Sequence, residues 1–397
     1  MSEWKEIDFL KMLIDESISY GIVQPGAHTE INSVPVIRVN NIKNGYIKTE
    51  DVLKVATSIE EKYKRTRLNG GELLITVVGS VGECAIVPEN LKGWNVARAV
   101  SVAKIKSEFD TRFIKYAFKT DDIIFQMYGN TNDTVQPTLN LSSLKALKFQ
   151  TPPLPEQIAI ASVLSSLDDK TDLLHRQNAT LEKMSETLFR QWFVEEAKEE
   201  WDSDALGNVF DIGIGRTPPR KEHHWFSENP SDIKWVSIKD MGTSGVYISN
   251  VSEYLTQDAV NRFSIPIIPE NTVMLSFKMT IGRLAISTEN MLSNEAIAHF
   301  KVKRDCRLFS EFLYLYLKIY QWEQLGSTSS IVEAINSQMI KEMEIFIPDQ
   351  NLLNAFKEVI EPYFKKIKSN QTQIRTLTAL RDTLLPKLMS GEVRVEM

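Results

Sequence analysis

Cysteine is scarce in this sequence, and long apolar runs are absent from it. Cys84 and Cys306 are the only cysteines among 397 residues. Two thiols so far apart in the chain cannot build a disulfide framework or a paired-cysteine metal or redox site, so both are predicted to be buried small side chains. No segment has about 18 consecutive apolar residues, and the amino terminus lacks the basic-then-apolar pattern of a secretory signal. We therefore expect a cytoplasmic protein without a membrane partner.

The sequence also lacks the short motifs that mark common catalytic and cofactor sites. It has no GxxxxGK[ST] phosphate loop, no HExxH pair and no cysteine–histidine set at zinc spacing. Residues 79–82 and 213–215 are glycine-rich, but neither segment has the strand–GxGxxG–helix setting of a dinucleotide site, which favours turns. The sequence predicts no catalytic residue, no metal site and no cofactor bound by this chain.

Negative charge is in slight excess and is concentrated in one stretch. The formal net charge is −6, from 46 Lys and Arg against 52 Asp and Glu. Residues 155–204 hold 12 acidic and 5 basic residues, whereas residues 1–154 hold 18 and 19. This balance is not that of a simple polybasic nucleic-acid binder, and the acidic stretch is better suited to contact with protein than with phosphate.

The chain repeats itself at about half its length, which indicates a tandem duplication. The segment LLITVVGSVGECAI at residues 73–86 aligns without a gap with VMLSFKMTIGRLAI at residues 273–286. Further matches follow in the same order: residues 95–97 with 294–296, 113–116 with 312–315, 139–140 with 335–336, and Pro152 with Pro348. Each copy is predicted to be a globular part followed by a long helix.

Alternating apolar runs within each globular part predict strands separated by Gly, Asn and Pro turns. The predicted strands are residues 34–39, 73–78, 234–238 and 273–277, and the predicted short helices are residues 113–118 and 311–320. The predicted fold class is therefore α/β (α+β), with two mixed α/β modules. The predicted domains are a first module at 1–154, a first long helix at 155–200, a second module at 201–347 and a second long helix at 348–397.

Two long segments carry apolar residues every seven positions, which predicts coiled-coil helices. The first contains no proline or glycine from Glu156 to Lys198, and the second extends from Gln350 to Leu388 with Arg381 as a charged exception in its seam. The predicted seam positions are Ile160, Leu164, Leu167, Leu174, Asn178, Leu181, Leu188, Ile360, Ile367, Asn370, Ile374, Leu377 and Leu384.

Each long helix would expose an apolar stripe to water if it stood alone, so we predict that the two helices cover one another. Because a module separates them in the chain, they can form an antiparallel coiled coil with the modules related by a pseudo-twofold axis. Asn178 and Asn370 either fix the register of this seam or lie near exposed helix ends. Pro362 should kink the second helix or mark a start nearby, and Pro386 should mark its end.

These features together resemble the DNA-specificity subunit of type I restriction-modification systems. The residues that carry the resemblance are PLPEQ at 153–157, TLFRQWF at 187–193, GRTPPR at 215–220, NVARA at 95–99 and LLPKLMSGE at 384–392. The resemblance extends over essentially the whole chain and includes its duplication. It implies a non-catalytic subunit with two target-recognition domains, each of which reads half of a bipartite, asymmetric sequence in double-stranded DNA.

The resemblance also implies the partners. The two long helices would set the spacing between the half-sites and dock two modification subunits, which use S-adenosylmethionine to methylate adenine. Restriction subunits, which translocate DNA, would use ATP and Mg²⁺.

Base reading needs side chains that donate or accept hydrogen bonds on elements that enter a groove, together with contacts to phosphate. Residues of these types lie on turns that border the repeated strands, although each could equally be a solvated surface group and Arg98 could pair with a carboxylate. The candidate DNA contacts are Asn40, Asn41, Lys43, Ser80, Arg98 and Gln136 in the first module and Arg216, Thr217, Arg220, Lys221, Lys239, Lys278, Thr280 and Arg283 in the second.

Two other functions remain open at this point. The acidic helix and the modest basic content also fit an interaction scaffold with no nucleic-acid role. A self-contained methyltransferase or nuclease would need a catalytic site that the motifs above do not reveal.

Overall fold

The computed structural model describes residues 4–129, 138–198, 200–322 and 335–395. The chain divides into two compact units, the first made of Met1–Lys170 and Leu377–Met397 and the second of Thr171–Thr376. Each unit therefore contains one globular module together with a part of both long helices.

The first unit combines short strands with short helices before the first long helix begins. Its strands are β1 (Lys5–Asp8), β2 (Leu13–Tyr20), β3 (Ser33–Ile37), β4 (Ile42–Lys43), β5 (Tyr46–Ile47), β6 (Leu53–Ala56), β7 (Leu73–Thr76), β8 (Cys84–Ile86), β9 (Asn95–Val96), β10 (Val100–Ile105) and β11 (Lys148–Thr151). Its helices are α1 (Phe9–Met12), α2 (Thr57–Glu60), α3 (Thr111–Ala117), α4 (Asp121–Gly129), α5 (Leu141–Lys145) and α6 (Leu154–Arg190), the last of which continues into the second unit.

The second unit repeats this order of elements. Its strands are β12 (Asp202–Ala205), β13 (Phe210–Ile214), β14 (Phe226–Ser227), β15 (Ile233–Val236), β16 (Tyr247–Ile248), β17 (Glu253–Leu255), β18 (Val273–Ser276), β19 (Leu284–Ser287), β20 (Leu292–Ser293), β21 (Ile297–Val302) and β22 (Glu344–Ile347). Its helices are α7 (Leu206–Val209), α8 (Ile238–Thr243), α9 (Gln257–Phe263), α10 (Ser310–Ile319), α11 (Ser337–Glu342) and α12 (Gln350–Met389), the last of which ends in the first unit.

Corresponding strands form corresponding sheets in the two units. The main sheet has the order β2-β10-β7-β8 in the first unit and β13-β21-β18-β19-β16 in the second. A second sheet has the order β6-β3-β9 in the first unit and β14-β17-β15-β20 in the second. Strand β10 pairs antiparallel with β7 through Val100 and Thr76, and β21 pairs with β18 through Ile297 and Ser276. The two modules thus share the order and register of their central strands, and the second adds β16 to one sheet and β14 to the other.

The central strand of each main sheet is buried on both faces, which explains its continuous apolar sequence. On β7, Leu73 and Ile75 belong to one core cluster and Leu74 to another. On β18, Val273 and Leu275 likewise lie in a different cluster from Met274. Strands covered on both faces need apolar residues at successive positions, whereas a half-exposed strand alternates.

The predicted elements are present, with ends displaced by at most two residues. The four predicted strands appear as β3, β7, β15 and β18, each ending one or two residues before the prediction, and the two predicted helices appear as α3 and α10. The strands end early because a turn follows immediately: residues 39–41 form a 3-10 turn, and Ile238 begins α8. The side chains of Asn140 and Asn336 cap α5 and α11, as the alignment of 139–140 with 335–336 implies.

Two sequence-based expectations need correction. Residues 95–97 do not correspond to 294–296, because β9 pairs with β3 through Val36 and Asn95 while β20 pairs with β15 through Trp235 and Leu292. The strand pairing, rather than the shared Asn-x-Ala pattern, decides which residues are equivalent. Asn95 is therefore equivalent to Leu292, two residues before the predicted Asn294. The second correction concerns Pro362, which does not mark a helix start, since α12 begins at Gln350 and continues through that proline to Met389.

Among the helices that the structure describes, none combines the length and the apolar character needed to span a bilayer.

A buried histidine distinguishes the second main sheet from the first. His299 on β21 is fully buried, and neither ring nitrogen has a hydrogen-bond partner among the described residues. A Cβ atom on Gly213, its neighbour on β13, would lie 2.2 Å from Nε2, so glycine is needed to accommodate the ring. Burial, and to a smaller extent the charge of Lys301, lowers the pKa of His299 to about 4, while Asp211 opposes this shift weakly. His299 is therefore neutral at pH 7.

This histidine should make the second unit less stable in acid. Because the folded pKa lies below the ordinary value of about 6.5, the unfolded chain binds the proton first, and the free energy of unfolding should fall as the pH drops from 6.5 towards 4. The loss approaches about 1.4 kcal/mol per pH unit. Denaturant unfolding at several pH values measures this slope. His299→Val, which places there the residue type found at Val102 in the first unit, should flatten it. An unchanged slope in the variant would contradict the assignment.

Candidate nucleic-acid interface

The hairpins β7–β8 and β18–β19 have the same hydrogen bonds at the base of their turns. In the first hairpin, Thr76 Oγ1 donates to the carbonyl of Ser80 and accepts from the N–H of Glu83 at 3.0 Å. In the second, Ser276 Oγ makes both corresponding bonds, at 2.6 and 3.1 Å. A small hydroxyl residue at this position therefore fixes the turn in each unit.

The side chains at the tips of these hairpins differ although the base is shared. Ser80 in the first unit is exposed, as are Lys278 and Thr280 in the second. Arg283 instead turns back, and its Nη1 donates to the carbonyl oxygen of Ile238 at 2.6 Å. This predicted DNA contact thus braces the hairpin against α8.

A strand approaches a glycine closely in each unit and fixes where the next loop begins. A Cβ atom on Gly21 would lie 2.0 Å from the carbonyl oxygen of Val96, and one on Gly215 would lie 2.2 Å from that of Ser293. Only glycine fits at such a contact. The following residue in each unit donates its N–H to the same carbonyl, at 2.8 and 2.9 Å, so Arg216 begins the second loop at an equivalent position.

The first two residues of this loop that were predicted to contact DNA form hydrogen bonds within the protein. Arg216 Nη1 donates to the carbonyl oxygen of Phe263 at 2.8 Å, and the hydroxyl of Thr217 donates to the carboxylate of Glu295. Both bonds are exposed, so a phosphate or base could compete with them. The strand registers make Glu295 the equivalent of Arg98 in the duplication. The two modules therefore carry charges of different sign at this loop position.

Arg220 is held on three sides. Its guanidinium donates to both carboxylate oxygens of Glu253, at 2.6 and 3.0 Å. The guanidinium carbon lies 4.4 Å from the centre of the Phe226 ring and 4.7 Å from that of Trp235. A planar cation stacked and paired in this way has a fixed orientation. Lys221, which follows it, is exposed.

The two adjacent asparagines predicted as DNA contacts have different environments. Asn40 is exposed, whereas Asn41 is buried and its Oδ1 accepts the backbone N–H of Arg38 at 3.0 Å. In the second unit Asp240 accepts the N–H of Ser237 at 2.9 Å in the same way. The structure therefore gives Asn41 a capping role in place of the predicted base contact, because its amide is engaged inside the module.

The turn of the β4–β5 hairpin brings together cations that sequence reasoning missed. Lys43 is exposed beside this turn, and Asn44 and Gly45 have positive φ angles of 56° and 86°. The ammonium nitrogens of Lys115 and Lys119 lie 3.6 and 3.8 Å from the Cβ position of Gly45. Burial lowers the pKa of Lys115. Lys115 and Lys119 are four residues apart, which places both on one side of a helical segment. This spacing is the sequence signal from which the cluster could have been predicted. This cluster could hold an anion such as a phosphate.

The remaining candidates are surface groups or lie beyond the described residues. Arg98 and Lys239 are exposed. Gln136 falls outside the part of the chain that the structure describes.

A buried carboxylate joins the two long helices and the module in the first unit. Asp168 on α6 is 5% exposed in its side chain and accepts the hydroxyl of Tyr116 at 2.8 Å and Nη1 of Arg381 at 2.8 Å. Arg394 also binds Glu156, at 2.9 Å. Asp168 pairs with Arg381, and the earlier residue Glu156 pairs with the later residue Arg394. The two segments of the chain therefore run antiparallel within this unit. Arg381, the charged exception in the heptad pattern, is thereby explained.

An amide pair joins the two long helices in the second unit. Asn370 is fully buried, and its Nδ2 donates to Oδ1 of Asn178 at 2.9 Å. The ring of Phe189 on α6 lies 5.9 Å from that of Phe356 on α12, so the helix parts run antiparallel here as well. Burial of Asn370 favours the register-fixing role over a place near an exposed helix end.

All thirteen predicted seam residues are fully or partly buried. The fully buried seam residues are Ile160, Leu164, Leu174, Ile360, Ile367 and Asn370. The partly buried ones are Leu167, Asn178, Leu181, Leu188, Ile374, Leu377 and Leu384. Leu385 is more deeply buried than its neighbour Leu384, a shift of one position at the end of α12. Sequence reasoning missed Phe189 and Phe193, which lie in the core of the second unit.

The comparisons with known proteins decide the family. The family model described as the type I restriction modification DNA specificity domain matches residues 23–183 and 198–379. The chain belongs to this family. The two matched segments correspond to the two copies of the duplicated specificity domain.

Curated relatives and a solved structure agree with this assignment. The chain is 27% identical over 351 residues to the type I restriction enzyme MjaIX specificity subunit of Methanocaldococcus jannaschii, covering 82% of this chain and 78% of that one. It is 22% identical over 345 residues to the HindI specificity subunit of Haemophilus influenzae, covering 68% and 74%. The crystal structure of a type I S subunit from M. genitalium shares the fold, with a TM-score of 0.60 at 16% identity over 100% of this chain and 97% of that one.

Breaking the buried ion pair of this specificity-domain protein should lower its stability measurably, because Asp168 would remain buried without Arg381. Arg381→Met leaves Asp168 buried with only the Tyr116 hydroxyl, and we expect the free energy of unfolding to fall by roughly 2 kcal/mol, less than for a fully buried pair because Arg381 retains some solvent contact. Denaturant titration of the full chain measures the change. Arg176→Met, which removes an exposed pair with Asp172, is the matched control and should change stability by less than about 0.5 kcal/mol. Equal losses in the two variants would contradict the assigned role of Asp168.

Proposed function

We propose that this chain is the non-catalytic DNA-recognition subunit of a type I restriction-modification complex. Each module reads one half of a bipartite, asymmetric target in double-stranded DNA, and the paired long helices set the distance between the halves. Membership of the specificity-domain family supports this function, as does the presence of two copies of one module in one chain.

The observation that carries the proposal is that the modules share a scaffold and differ at exposed tips. The hydroxyls of Thr76 and Ser276 fix two equivalent hairpins, whereas the tip residues are Ser80 in one and Thr280, flanked by Lys278, in the other. A protein that reads two different half-sites needs this combination, because common geometry places both tips against DNA and different side chains discriminate bases.

The long helices supply a surface for protein partners. Residues 155–204 carry 12 acidic and 5 basic residues, and α6 exposes apolar side chains such as Ile158, Leu173 and Met184. Negative charge opposes contact with phosphate and permits contact with protein. We infer that two modification subunits, which hold S-adenosylmethionine and methylate adenine, dock on these helices.

The chemistry belongs to the partners in this proposal. The chain itself binds no cofactor and no metal, and restriction subunits use ATP and Mg²⁺. Near-neutral modules neutralise few phosphates, so the isolated chain should bind DNA weakly and its partners should close around the duplex. We place the assembled complex in the cytoplasm.

Methylation mapping tests the function directly. The chain is expressed with its modification subunit in a host, and methylated adenines are mapped with and without the chain. We expect one bipartite sequence to become methylated only when the chain is present. Replacing residues 1–154 by the first module of another family member should change one half of that sequence. A pattern that does not depend on the chain would favour an interaction scaffold, and DNA modification by the purified chain alone would favour an enzyme.

Partner docking should depend on the buried helical seam. Leu174 is 1% exposed, and Leu174→Asp should weaken helix packing in the second unit by about 3–5 kcal/mol, since it replaces a buried leucine with a charge. Co-purification with two modification subunits should be lost. The adjacent Leu173 is 41% exposed, so Leu173→Asp introduces the same charge and should leave the melting temperature nearly unchanged. Because Leu173 lies on the surface proposed for docking, this variant is a control for folding only. Recovery of the intact complex with Leu174→Asp would show that the seam is assigned incorrectly.

A further inference from the structure

The tip of the β18–β19 hairpin carries an apolar side chain in an unfavourable position. Met279 is 96% exposed and has a φ angle of 61°. The N–H of Thr280 donates to the carbonyl of Lys278 at 2.7 Å, so Met279 is the central residue of a three-residue turn. Full exposure of an apolar side chain and a left-handed backbone in a residue other than Gly, Asn or Asp are both unfavourable for folding. The fold alone gives no reason for methionine here.

The first unit shows what this hairpin looks like without that feature. Gly79 lies at the equivalent position and also has a positive φ, of 78°, which glycine adopts freely. The residues around it are Val78 and Ser80, in place of Lys278 and Thr280. The hydrogen bonds at the base of both hairpins are equivalent, whereas the bond at the tip joins Gly79 and Val81 in the first unit and Lys278 and Thr280 in the second. A glycine in place of Met279 would adopt the positive φ without strain. The turn therefore does not require the methionine, and its side chain alters only the exposed surface of the tip.

The surroundings of Met279 favour DNA as the group that covers it. Lys278 and Lys239 are both exposed, and the bond from Arg283 to the carbonyl of Ile238 joins the hairpin to the segment that bears Lys239. The counterparts of these two lysines in the first unit are the uncharged Val78 and Asn40. An apolar tip that follows one exposed lysine, on a hairpin bonded to a segment with another, matches a duplex groove, in which phosphates flank base edges.

We propose that Met279 is a specificity-determining residue of the second module and that it packs against the C5-methyl group of a thymine in the major groove. The thymine methyl is the apolar group that a base edge presents in this groove, and it separates A·T pairs from the others. The hairpin holds the side chain away from the module, so the contact buries it only when DNA is bound. The inference rests on the proposed function and names one base contact within it.

Removal of the methyl group from DNA tests the contact without changing the protein. The full chain is assembled with its modification subunits, and methylation rates are measured on duplexes in which every thymine of one half-site is replaced by deoxyuridine. Substitution in the half-site of the second module should lower the rate about three- to tenfold. A half-site that contains no thymine, or a wild-type complex indifferent to the substitution, would overturn the inference.

Variants of Met279 supply the second arm. Met279→Gly should fold at least as stably as the wild type, because it relieves the positive φ and restores the residue of the first unit. It should lose the three- to tenfold preference for thymine over deoxyuridine in that half-site alone. Met279→Leu should keep the preference. Ile31→Ser, which removes an exposed apolar side chain from the first unit, is the matched control and should leave both half-sites unaffected.

The outcomes separate this inference from the proposed function. A wild-type chain that directs no bipartite methylation would contradict the function itself. A wild-type chain that directs it, with a thymine preference that survives in Met279→Gly, would contradict only the role of Met279.

Discussion

The structure depends on covering the apolar stripes of the two long helices. In the first unit, Ile160 and Leu164 of α6 lie in the same core cluster as Phe113 of α3 and the strand residue Ile75. In the second, the ring of Phe193, just beyond α6, lies 5.0 Å from that of Phe312 on α10 and 4.7 Å from that of Phe356 on α12. Helix and sheet residues share one core in each unit, so neither element would be covered without the other.

Apolar burial alone would leave the register of the helices poorly defined, because leucine and isoleucine pack in several registers. A buried polar group has no such freedom, since it must find its partner or lose a hydrogen bond without compensation. Asp168 meets Tyr116 and Arg381 only at one register, and Asn370 meets Asn178 only at one. These polar contacts sacrifice some stability and in return select a single helix alignment in each unit.

The sequence predicted those features of the fold that repeat at short range. Heptad spacing located α6 and α12, and apolar runs located β3, β7, β15 and β18, because each pattern reflects one element facing one core. The candidate site was harder to predict from the sequence. Whether Asn41 caps a turn or Lys115 reaches the β4–β5 hairpin depends on backbone partners distant in the chain, which local pattern does not encode. The equivalence of residues 95–97 failed for the same reason, since strand pairing rather than identity sets it.

The duplication shows which positions a module can change. Where a different residue would break a backbone contact, the two copies agree: Gly21 and Gly215 admit no side chain, and Asn140 and Asn336 cap equivalent helices. Where the side chain points to solvent, they differ. They also differ within the sheet at Val102 and His299, where Gly213 makes room for the larger ring. Divergence at a tip therefore leaves the scaffold unaffected. Two modules of equal geometry can in this way evolve different surfaces independently, which is the physical condition for reading two unrelated half-sites with one chain.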